Sequence, residues 1–140
     1  MKPTLCLDFD GVIHSYTSGW KGIDQIPDPP VVDIATGQSA IEKLYEYIEH
    51  FHVCIYSTRS ETQAGREAMK DWLGHWDATY WREHPNQPQP RTALLLCIDF
   101  PAVKPPALVG IDDRVVTFTG VFPEAKILLD FKPWSKKEQP

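Results

Sequence analysis

Four acidic side chains of this 140-residue chain are spaced for phosphoryl-transfer chemistry. Asp8 and Asp10 follow one short apolar run, and Asp112 and Asp113 follow another toward the other end of the sequence. Because residues two apart on an extended chain point the same way, Asp8 and Asp10 share a face. One carboxylate of such a pair can attack phosphorus and form an aspartyl-phosphate, while the other moves a proton to and from the reacting oxygens. The acids therefore predict hydrolysis of a phosphate ester.

The negative charge of these acids predicts a bound cation. A bound phosphate monoester would add about 1.5–2 negative charges to those of the four carboxylates. We expect one Mg²⁺, together with Lys104 and Arg59, to offset this charge. Mg²⁺ binds through a few carboxylate oxygens, keeps several waters and accepts a substrate phosphate as a further ligand. No pattern of His or Cys in the sequence indicates zinc or iron instead. Gly11 leaves the backbone beside the acid pair open to a phosphate oxygen.

Predicted strands and helices alternate along the chain. Apolar runs typical of buried strands occupy residues 4–8, 51–56, 93–98 and 107–112, with shorter candidates at 115–118 and 126–131. Between them, Ser39 with Glu42 and Ser60 with Gln63 match the capping pairs that begin two helices. The apolar faces of the two helices are Ile41, Leu44, Tyr45 and Ile48 in the first, and Ala68, Met69, Trp72, Leu73 and Trp76 in the second.

This alternation predicts an α/β protein with a parallel sheet flanked by helices on both faces. Residues 11–37, which contain several Gly and Pro, are predicted to form a loop or hairpin, and residues 77–91 a surface loop. Residues 1–140 are expected to form a single domain. In such sheets the ligand lies beyond the carboxyl ends of the strands. The residues delivered to that edge are Asp8, Asp10, Ser57, Lys104, Asp112 and Asp113. Four separate segments thus converge on one edge, which predicts an active site there.

The same residues resemble the motifs of the haloacid dehalogenase (HAD) superfamily, in the order in which that family carries them. The motifs are Asp8-Phe9-Asp10-Gly11-Val12-Ile13, then Ser57 after a hydrophobic strand, then Lys104, then Asp112-Asp113. The resemblance extends from about Leu5 to Arg114, which is most of the chain. It implies a Rossmann-like sheet of the HAD type and a small, capless, Mg²⁺-dependent phosphatase.

The resemblance also implies a role for each motif residue. Asp8 looks like the nucleophile and a metal ligand. Asp10 looks like the general acid and base, with its backbone carbonyl on the metal as well. Ser57 matches the hydroxyl that binds the transferring phosphoryl group, and Lys104 matches the lysine that offsets its charge.

Two finer features of the resemblance concern the metal and the substrate. In relatives whose last motif ends in two acids and an arginine, the second acid usually contacts Mg²⁺, so Asp113 is the expected ligand and Asp112 its support. Ser57 with Arg59 resembles the pattern of polynucleotide 3′-phosphatases, which makes Arg59 a candidate substrate contact. The Asp-Asp-Arg sequence that ends at Arg114 is similar to those enzymes and to deoxynucleotidases.

The chain departs from the family in ways that leave its substrate open. Val12 stands where many members have Thr. No insertion is long enough for a cap domain, since residues 14–36 can form only a flap and residues 77–91 only a loop. An open site suits a nucleotide or other small phosphorylated metabolite, a nucleic acid end, or a homo-oligomer whose second subunit covers the site. Tyr16 and Trp20 of the flap either stack on a base or pin the flap to the body.

Each candidate residue also has an ordinary structural interpretation. Single Asp residues often cap turns, and a lysine before Pro-Pro, as at Lys104, is often simply exposed. Thr58 is an alternative to Ser57 as the phosphate-binding hydroxyl. Arg59 equally suits a salt bridge at the start of a helix, and His14 fits the structure of the flap better than the site.

Two alternatives to an active hydrolase are a phosphate-accepting, receiver-like regulatory module and an inactive HAD scaffold. Receiver domains also unite acids, a hydroxyl and a lysine at one sheet edge. Their phosphorylated aspartate, however, lies on a later strand than their acidic pair. Here the pair at Asp8 and Asp10 comes first and the hydroxyl of Ser57 next, which favours the hydrolase.

Composition and charge narrow the class of protein further. Apolar residues make up 42% of the chain and charged residues 24%, which is typical of a globular domain. The formal net charge of −5 gives no general basic footprint for nucleic acid. Cys6, Cys54 and Cys97 each lie in an apolar run and are expected to be buried thiols in a reducing compartment. The sequence shows neither a signal-peptide pattern nor a run of about 18 apolar residues, so we expect a cytoplasmic protein that does not contact a membrane.

Overall fold

The computed structural model describes residues 1–90 and 92–136, the side chain of residue 136 excepted. It contains a four-stranded sheet in which every strand pair is parallel. In chain order the strands are β1 (Thr4–Leu7), β2 (His52–Ile55), β3 (Ile98–Asp99) and β4 (Val109–Ile111). Across the sheet their order is β3-β2-β1-β4. The α/β class with a parallel, Rossmann-like sheet is therefore confirmed.

Four α-helices and two 3₁₀ turns accompany the sheet. The helices are α1 (Ala40–His50), α2 (Gln63–Glu83), α3 (Leu94–Cys97) and α4 (Ala125–Leu129). The 3₁₀ turns are Thr58–Glu61 and Trp134–Lys136. No helix in residues 1–90 and 92–136 is long and apolar enough to cross a membrane.

The two long helices begin with side-chain caps, one at the predicted residue and one not. Ser39 caps α1, since its hydroxyl accepts a hydrogen bond from the backbone N–H of Glu42. The predicted cap of α2 at Ser60 is wrong, because Thr62 caps that helix instead. Ser60 lies in a 3₁₀ turn that precedes α2, where its hydroxyl accepts a hydrogen bond from the N–H of Ser57. One extra turn of chain thus separates β2 from the helix.

Several other boundaries also differ from the prediction. Residues 93–98 form α3 and only the start of β3, because periodicity alone cannot distinguish a short apolar helix from a buried strand. Residues 77–83, predicted as part of a loop, continue α2. The candidate strand at 115–118 has no regular structure, and the one at 126–131 lies mostly in α4. Residues 11–37 form no helix or strand beyond isolated bridges, as predicted.

Tertiary hydrogen bonds explain the extra length of α2. Asp77 is buried and accepts hydrogen bonds from the Tyr45 hydroxyl at 2.6 Å and the Trp81 indole at 3.1 Å. Tyr80 is also buried. The hydrogen bond from Tyr45 of α1, together with the one from Trp81 within α2, stabilises a helical turn whose sequence alone favours a surface connection.

The hydrophobic core lies on one face of the sheet. Side chains of β1 and β2 on that face, Leu5, Leu7, Val53 and Ile55, form one cluster with Ile41 and Leu44 of α1 and Met69, Trp72 and Leu73 of α2. Both helices share this face because β1, β2 and β3 follow one another in the same direction and parallel crossovers are right-handed.

The opposite face of the sheet carries Cys6 and Cys54, which are buried. The connection from β3 to β4, residues 100–108, contains no helix. Its Lys104 lines a cavity together with Cys6 and therefore lies over this face. The expectation of helices on both faces is thus confirmed for one face only. All three cysteines are free, and Cys97 is half-buried rather than buried.

Candidate active site

Two neighbouring strands bring three carboxylates together at the carboxyl end of the sheet. Leu7 of β1 pairs with Ile111 of β4, and the N–H of Asp8 donates a hydrogen bond to the carbonyl of Ile111 at 2.9 Å. The next residues of both strands are acids. One carboxylate oxygen from each of Asp8, Asp112 and Asp113 lies within 4.8 Å of the others. Residues more than a hundred positions apart in sequence therefore form one acidic cluster.

Gly11 makes room for the Asp113 side chain in this cluster. Its φ angle is +85°, a backbone conformation that L side chains rarely adopt. A Cβ atom at this position would overlap the Asp113 carboxylate. The prediction that Gly11 leaves space for a phosphate oxygen stays untested, but the space beside its Cα is occupied by the Asp113 carboxylate rather than by open solvent.

The three carboxylates of the acidic cluster repel one another. Burial, together with the neighbouring carboxylates of Asp112 and Asp113, raises the pKa of Asp8 to about 7 against the opposing hydrogen bond from the Phe9 N–H. Asp113 Oδ1 is buried and has no hydrogen-bond partner in the part of the chain that the structure describes. An orphaned buried carboxylate oxygen needs a donor or a cation. A divalent ion with a preference for oxygen ligands, such as Mg²⁺, fits this donor set.

Lys104 lines a cavity of about 330 Å³ that also contacts Asp8 and Asp112. The side chain is exposed, and it extends from the connection that crosses the Cys6 face of the sheet. The predicted lysine is therefore brought to the same cavity as the predicted nucleophile. A negatively charged group in this cavity would have an ammonium group within reach.

Asp10 does not join the three-acid cluster through its side chain. Its Oδ1 accepts a hydrogen bond from His14 Nδ1 at 2.8 Å, and its Oδ2 accepts one from Arg59 Nε at 3.0 Å. His14 is fully buried, and its Nε2 accepts a hydrogen bond from the N–H of Asp28 at 3.1 Å. With Nε2 as the acceptor, the neutral ring carries its proton on Nδ1 and donates it to Asp10. The sequence favoured a role in the flap for His14, and the structure confirms its contacts there with Asp28 and Pro30 while also placing it against Asp10, the predicted acid and base.

Arg59 connects Asp10 to the flap. The guanidinium is fully buried, and its Nη1 donates hydrogen bonds to the carbonyls of Gly22 and Ile23, each at 2.8 Å. The Trp20 ring stacks 4.6 Å from the guanidinium carbon. Nη2 has no hydrogen-bond partner within residues 1–90 and 92–136. The interpretation of Arg59 as a salt-bridge residue agrees with its contact with Asp10. The other interpretation, a contact with substrate, stays a prediction that Nη2 could fulfil.

Ser57 follows β2, the strand next to β1, as the sequence predicts. Its hydroxyl caps the 3₁₀ turn by accepting a hydrogen bond from the N–H of Arg59 at 3.1 Å, and it lies 3.6 Å from the sulfur of Met69. The side chain is buried, whereas Thr58 is exposed. A role for Ser57 in binding phosphoryl groups therefore requires its hydroxyl hydrogen to turn from the sulfur toward the ligand.

Trp134 is a site residue that sequence reasoning did not identify. Its indole N–H donates a hydrogen bond to the carbonyl of Gly11 at 2.8 Å. It also lines a cavity of about 380 Å³ with Gly11, Asp112 and Asp113. No local pattern indicates a contact between residues 123 positions apart in sequence.

The residues singled out from sequence thus divide into three groups. The cluster beside the sheet edge contains Asp8, Asp112 and Asp113, with Lys104 in the adjoining cavity. Asp10 and Arg59 form a second, hydrogen-bonded group with His14. Ser57 belongs to a capped turn beside them.

We also compared the chain with known proteins. No family model, no curated protein and no solved structure matches it.

Proposed function

We propose that the chain is a Mg²⁺-dependent phosphomonoester hydrolase of the HAD type, which acts through an aspartyl-phosphate on Asp8. The observation that carries the proposal is the acidic cluster itself: Asp8, Asp112 and Asp113 lie within 4.8 Å of one another where two adjacent parallel strands end. Lys104 lines a cavity with two of them. A bound cation would relieve the repulsion among these carboxylates and would attract an anionic ligand.

The metal would be held by Asp8 and Asp113, with Asp112 beside them and the backbone carbonyl of Asp10 as a further ligand. Asp113 Oδ1 supports this assignment, because it is buried without a partner among the residues described. Bound Mg²⁺ would offset the carboxylate charges and polarise the phosphate oxygens.

In the first half of the reaction a carboxylate oxygen of Asp8 attacks phosphorus and the bond to the leaving oxygen breaks. Asp10 supplies the proton that the leaving oxygen needs, and to carry that proton one of its oxygens must stop accepting the hydrogen bond from His14 or Arg59. In the second half Asp10 takes a proton from water, the water oxygen attacks phosphorus, and inorganic phosphate leaves Asp8 free again. The hydrogen bonds from His14 and Arg59 fix the orientation of the Asp10 carboxylate between these steps. Lys104, and the hydroxyl of Ser57, would bind the transferring phosphoryl oxygens.

A panel of phosphomonoesters tests the proposal. Wild-type protein, Asp8→Asn and Asp71→Asn are incubated with each ester and Mg²⁺, and released phosphate is measured. Asp71 is an exposed acid of α2 and serves as the matched control. We expect turnover by wild type and by the control, and none by Asp8→Asn. Equal release by all three proteins, or release by none of them on the whole panel, would contradict the proposal.

A nucleic acid end is the second candidate substrate, and Trp20 is the observation that favours it. One face of its ring stacks on Arg59, while the side chain as a whole is about half exposed. An exposed indole beside a phosphate site can stack on a base, which contributes about 1–3 kcal/mol per base. The panel therefore includes mononucleotides and oligonucleotides with a 3′- or a 5′-phosphate. A markedly higher kcat/KM on one oligonucleotide end than on mononucleotides would favour this substrate.

The same assay separates the hydrolase from a receiver-like module. A receiver would accept one phosphoryl group from a small donor such as acetyl phosphate and then stop. A hydrolase continues to release phosphate far beyond one equivalent of protein. Sustained release that requires Asp8 is the result that the proposal predicts.

A further inference from the structure

Three side chains of different chemistry meet on the face of the sheet that lies opposite the hydrophobic core. His52 and Cys54 are two positions apart on β2, so they point to the same face. Cys54 pairs in register with Asp99 of β3, which places the Asp99 side chain beside them. One ligand atom from each of the three residues lies within 4.8 Å of the others. The sequence pattern does not indicate this group, because Asp99 belongs to a different strand.

The group, which we call the His52–Cys54–Asp99 cluster, is separate from the candidate active site. The carboxylates of that site follow β1 and β4, whereas the new cluster lies across β2 and β3 at the other side of the sheet. The two groups share no residue. The reaction proposed above uses none of the three side chains, so the cluster needs an explanation of its own.

The chemistry of the three ligand atoms is that of a zinc site. An imidazole nitrogen, a thiolate sulfur and a carboxylate oxygen are the three kinds of protein ligand that Zn²⁺ takes. Mg²⁺ prefers oxygen ligands alone, so the thiol and the imidazole disfavour it. With the imidazole neutral and the thiol ionised, the cluster carries the charge of one thiolate and one carboxylate. One Zn²⁺ balances this charge.

The distances within the cluster are close to those of a tetrahedral zinc site. Bond lengths of about 2.0–2.3 Å place neighbouring ligand atoms of such a site about 3.3–3.6 Å apart. His52 Nε2 and Asp99 Oδ2 are 2.9 Å apart, and the whole cluster falls within 4.8 Å. The separations therefore need to change by about 1.2 Å at most, the difference between 4.8 and 3.6 Å. Small rotations of exposed side chains supply such changes.

The exposure of the three side chains gives a metal ion access to the cluster. Cys54 is buried, with 4% of its surface exposed. The side chains of His52 and Asp99 are 48% and 66% exposed. A buried thiol beside two exposed ligands leaves an entry path from solvent, and a water molecule can complete the four ligands. Three protein ligands with a water in the fourth position are a known form of zinc coordination.

A metal at this cluster would hold the edge of the sheet. β3 consists of two residues, Ile98 and Asp99, which pair with Val53 and Cys54. Asp99 is also the residue from which the connection to β4 departs, and that connection carries Lys104. An ion shared by β2 and Asp99 would add a link between the strands where they pair over the shortest length.

We propose that His52, Cys54 and Asp99 bind one Zn²⁺ ion, which joins β2 to the edge strand β3. The site is distinct from the Mg²⁺ site proposed for the acidic cluster. It follows from the positions and chemistry of three residues that take no part in the reaction, so it does not depend on phosphatase activity. A protein that binds zinc here without hydrolysing phosphate esters, and a phosphatase that does not bind zinc here, are distinguishable results.

Titration of the metal-free, reduced chain with Co²⁺ in excess Mg²⁺ tests the proposal. A thiolate ligand on Co²⁺ produces an intense charge-transfer band in the near ultraviolet, which carboxylate ligands alone do not produce. Co²⁺ bound at the acidic cluster therefore does not contribute to this signal. We expect the band to reach its full intensity at one equivalent of Co²⁺ per chain. Added Zn²⁺ should displace the Co²⁺ and remove the band, and this competition measures the affinity for Zn²⁺.

Three variants remove the ligands one at a time. Cys54→Ser should abolish the band. His52→Ala and Asp99→Ala should each lower the affinity for Zn²⁺ at least about 100-fold, since changes to residues that merely support a metal ligand already cost 10–100-fold. Cys6→Ser is the matched control, because Cys6 pairs in register with Cys54 and is similarly buried, at 6% exposed, but is not a member of the cluster. This variant should keep the band and the affinity of wild type.

The two exposed ligands keep the test decisive if Cys54→Ser is poorly folded. His52→Ala and Asp99→Ala change exposed side chains and should retain the circular dichroism of wild type. The proposal fails if wild type gives no charge-transfer band with Co²⁺, if a folded Cys54→Ser keeps the band, or if a folded Cys6→Ser loses it. It also fails if His52→Ala or Asp99→Ala binds Zn²⁺ as tightly as wild type, a result that would leave the contact between these residues as an ordinary ion pair.

Discussion

Replacing Gly11 with Ala, beside its matched control, separates the backbone strain of the loop after β1 from the position of Asp113. Gly11 has a φ angle of +85°, and a left-handed conformation costs an L residue roughly 1–2 kcal/mol. Alanine also has less backbone freedom than glycine in the unfolded chain. This difference stabilises the folded variant by about 0.4–1 kcal/mol and offsets part of the strain. The new methyl group would in addition overlap the Asp113 carboxylate. Because Asp113 Oδ1 has no partner among the residues described, the carboxylate can move away at little cost in stability.

Gly37→Ala is the matched control for this experiment. Gly37 has a φ of +75° and no atom within 4 Å of an added Cβ, so the variant carries the backbone strain alone. We expect both variants to lose about 0.5–1.5 kcal/mol of unfolding free energy in urea, the net of strain and unfolded-state entropy. Only Gly11→Ala should lose Mg²⁺ affinity in calorimetry and phosphatase activity. A displacement of about 1 Å in a catalytic group lowers the rate about 100-fold. Activity of Gly11→Ala within about threefold of the Gly37→Ala activity would refute the placement of Asp113 at the metal.

Three further predictions concern the acids and the metal. Asp8→Asn should abolish turnover yet stabilise the metal-free protein at pH 8. The pKa of Asp8 is raised to about 7 in the folded state, so the wild-type chain loses stability as the pH rises from the ordinary carboxyl range through 7. The gain should therefore be largest above pH 7 and vanish near pH 4 in urea titrations with chelator, and an equal gain at both pH values would contradict the assigned cause. Asp10→Asn should lower kcat by about 10²–10⁴-fold, because the proton transfer is lost, and steady-state kinetics that show a raised KM with unchanged kcat would rule out that role. Chelation should abolish phosphate release, Mg²⁺ should restore it and Ca²⁺ should restore it poorly, because Ca²⁺ coordinates more loosely; full activity in excess chelator would contradict the metal assignment.

The acidic cluster could be predicted from sequence because its geometry follows from strand ends. Asp8 and Asp112 each follow an apolar run, and parallel strands that pair in register bring their carboxyl ends together. The cap of α1 at Ser39 could also be predicted from sequence, since a helix cap is a local interaction. Local patterns of this kind need no knowledge of the tertiary structure.

Several of the differences come from contacts between residues that are distant in sequence. The length of α2 depends on the hydrogen bond from Tyr45 to Asp77, 32 residues apart. The contact of Trp134 with the Gly11 carbonyl spans 123 residues. His14 lies only four residues from Asp10, but its role depends on the N–H of Asp28, which the sequence does not link to either. Residues 93–98 were misassigned for another reason, since a short apolar run fits both a helix and a strand.

The central claim is that Asp8 carries the phosphoryl group during turnover. Its most direct test is mass spectrometry of wild-type protein that is mixed with a hydrolysed phosphomonoester and Mg²⁺, quenched in acid during turnover and digested. The account predicts a peptide that contains Asp8 with the added mass of one phosphoryl group, fragmentation that assigns the group to Asp8, and no such peptide from Asp8→Asn. Steady phosphate release with Asp8 unmodified, or with the phosphoryl group on another residue, would contradict it.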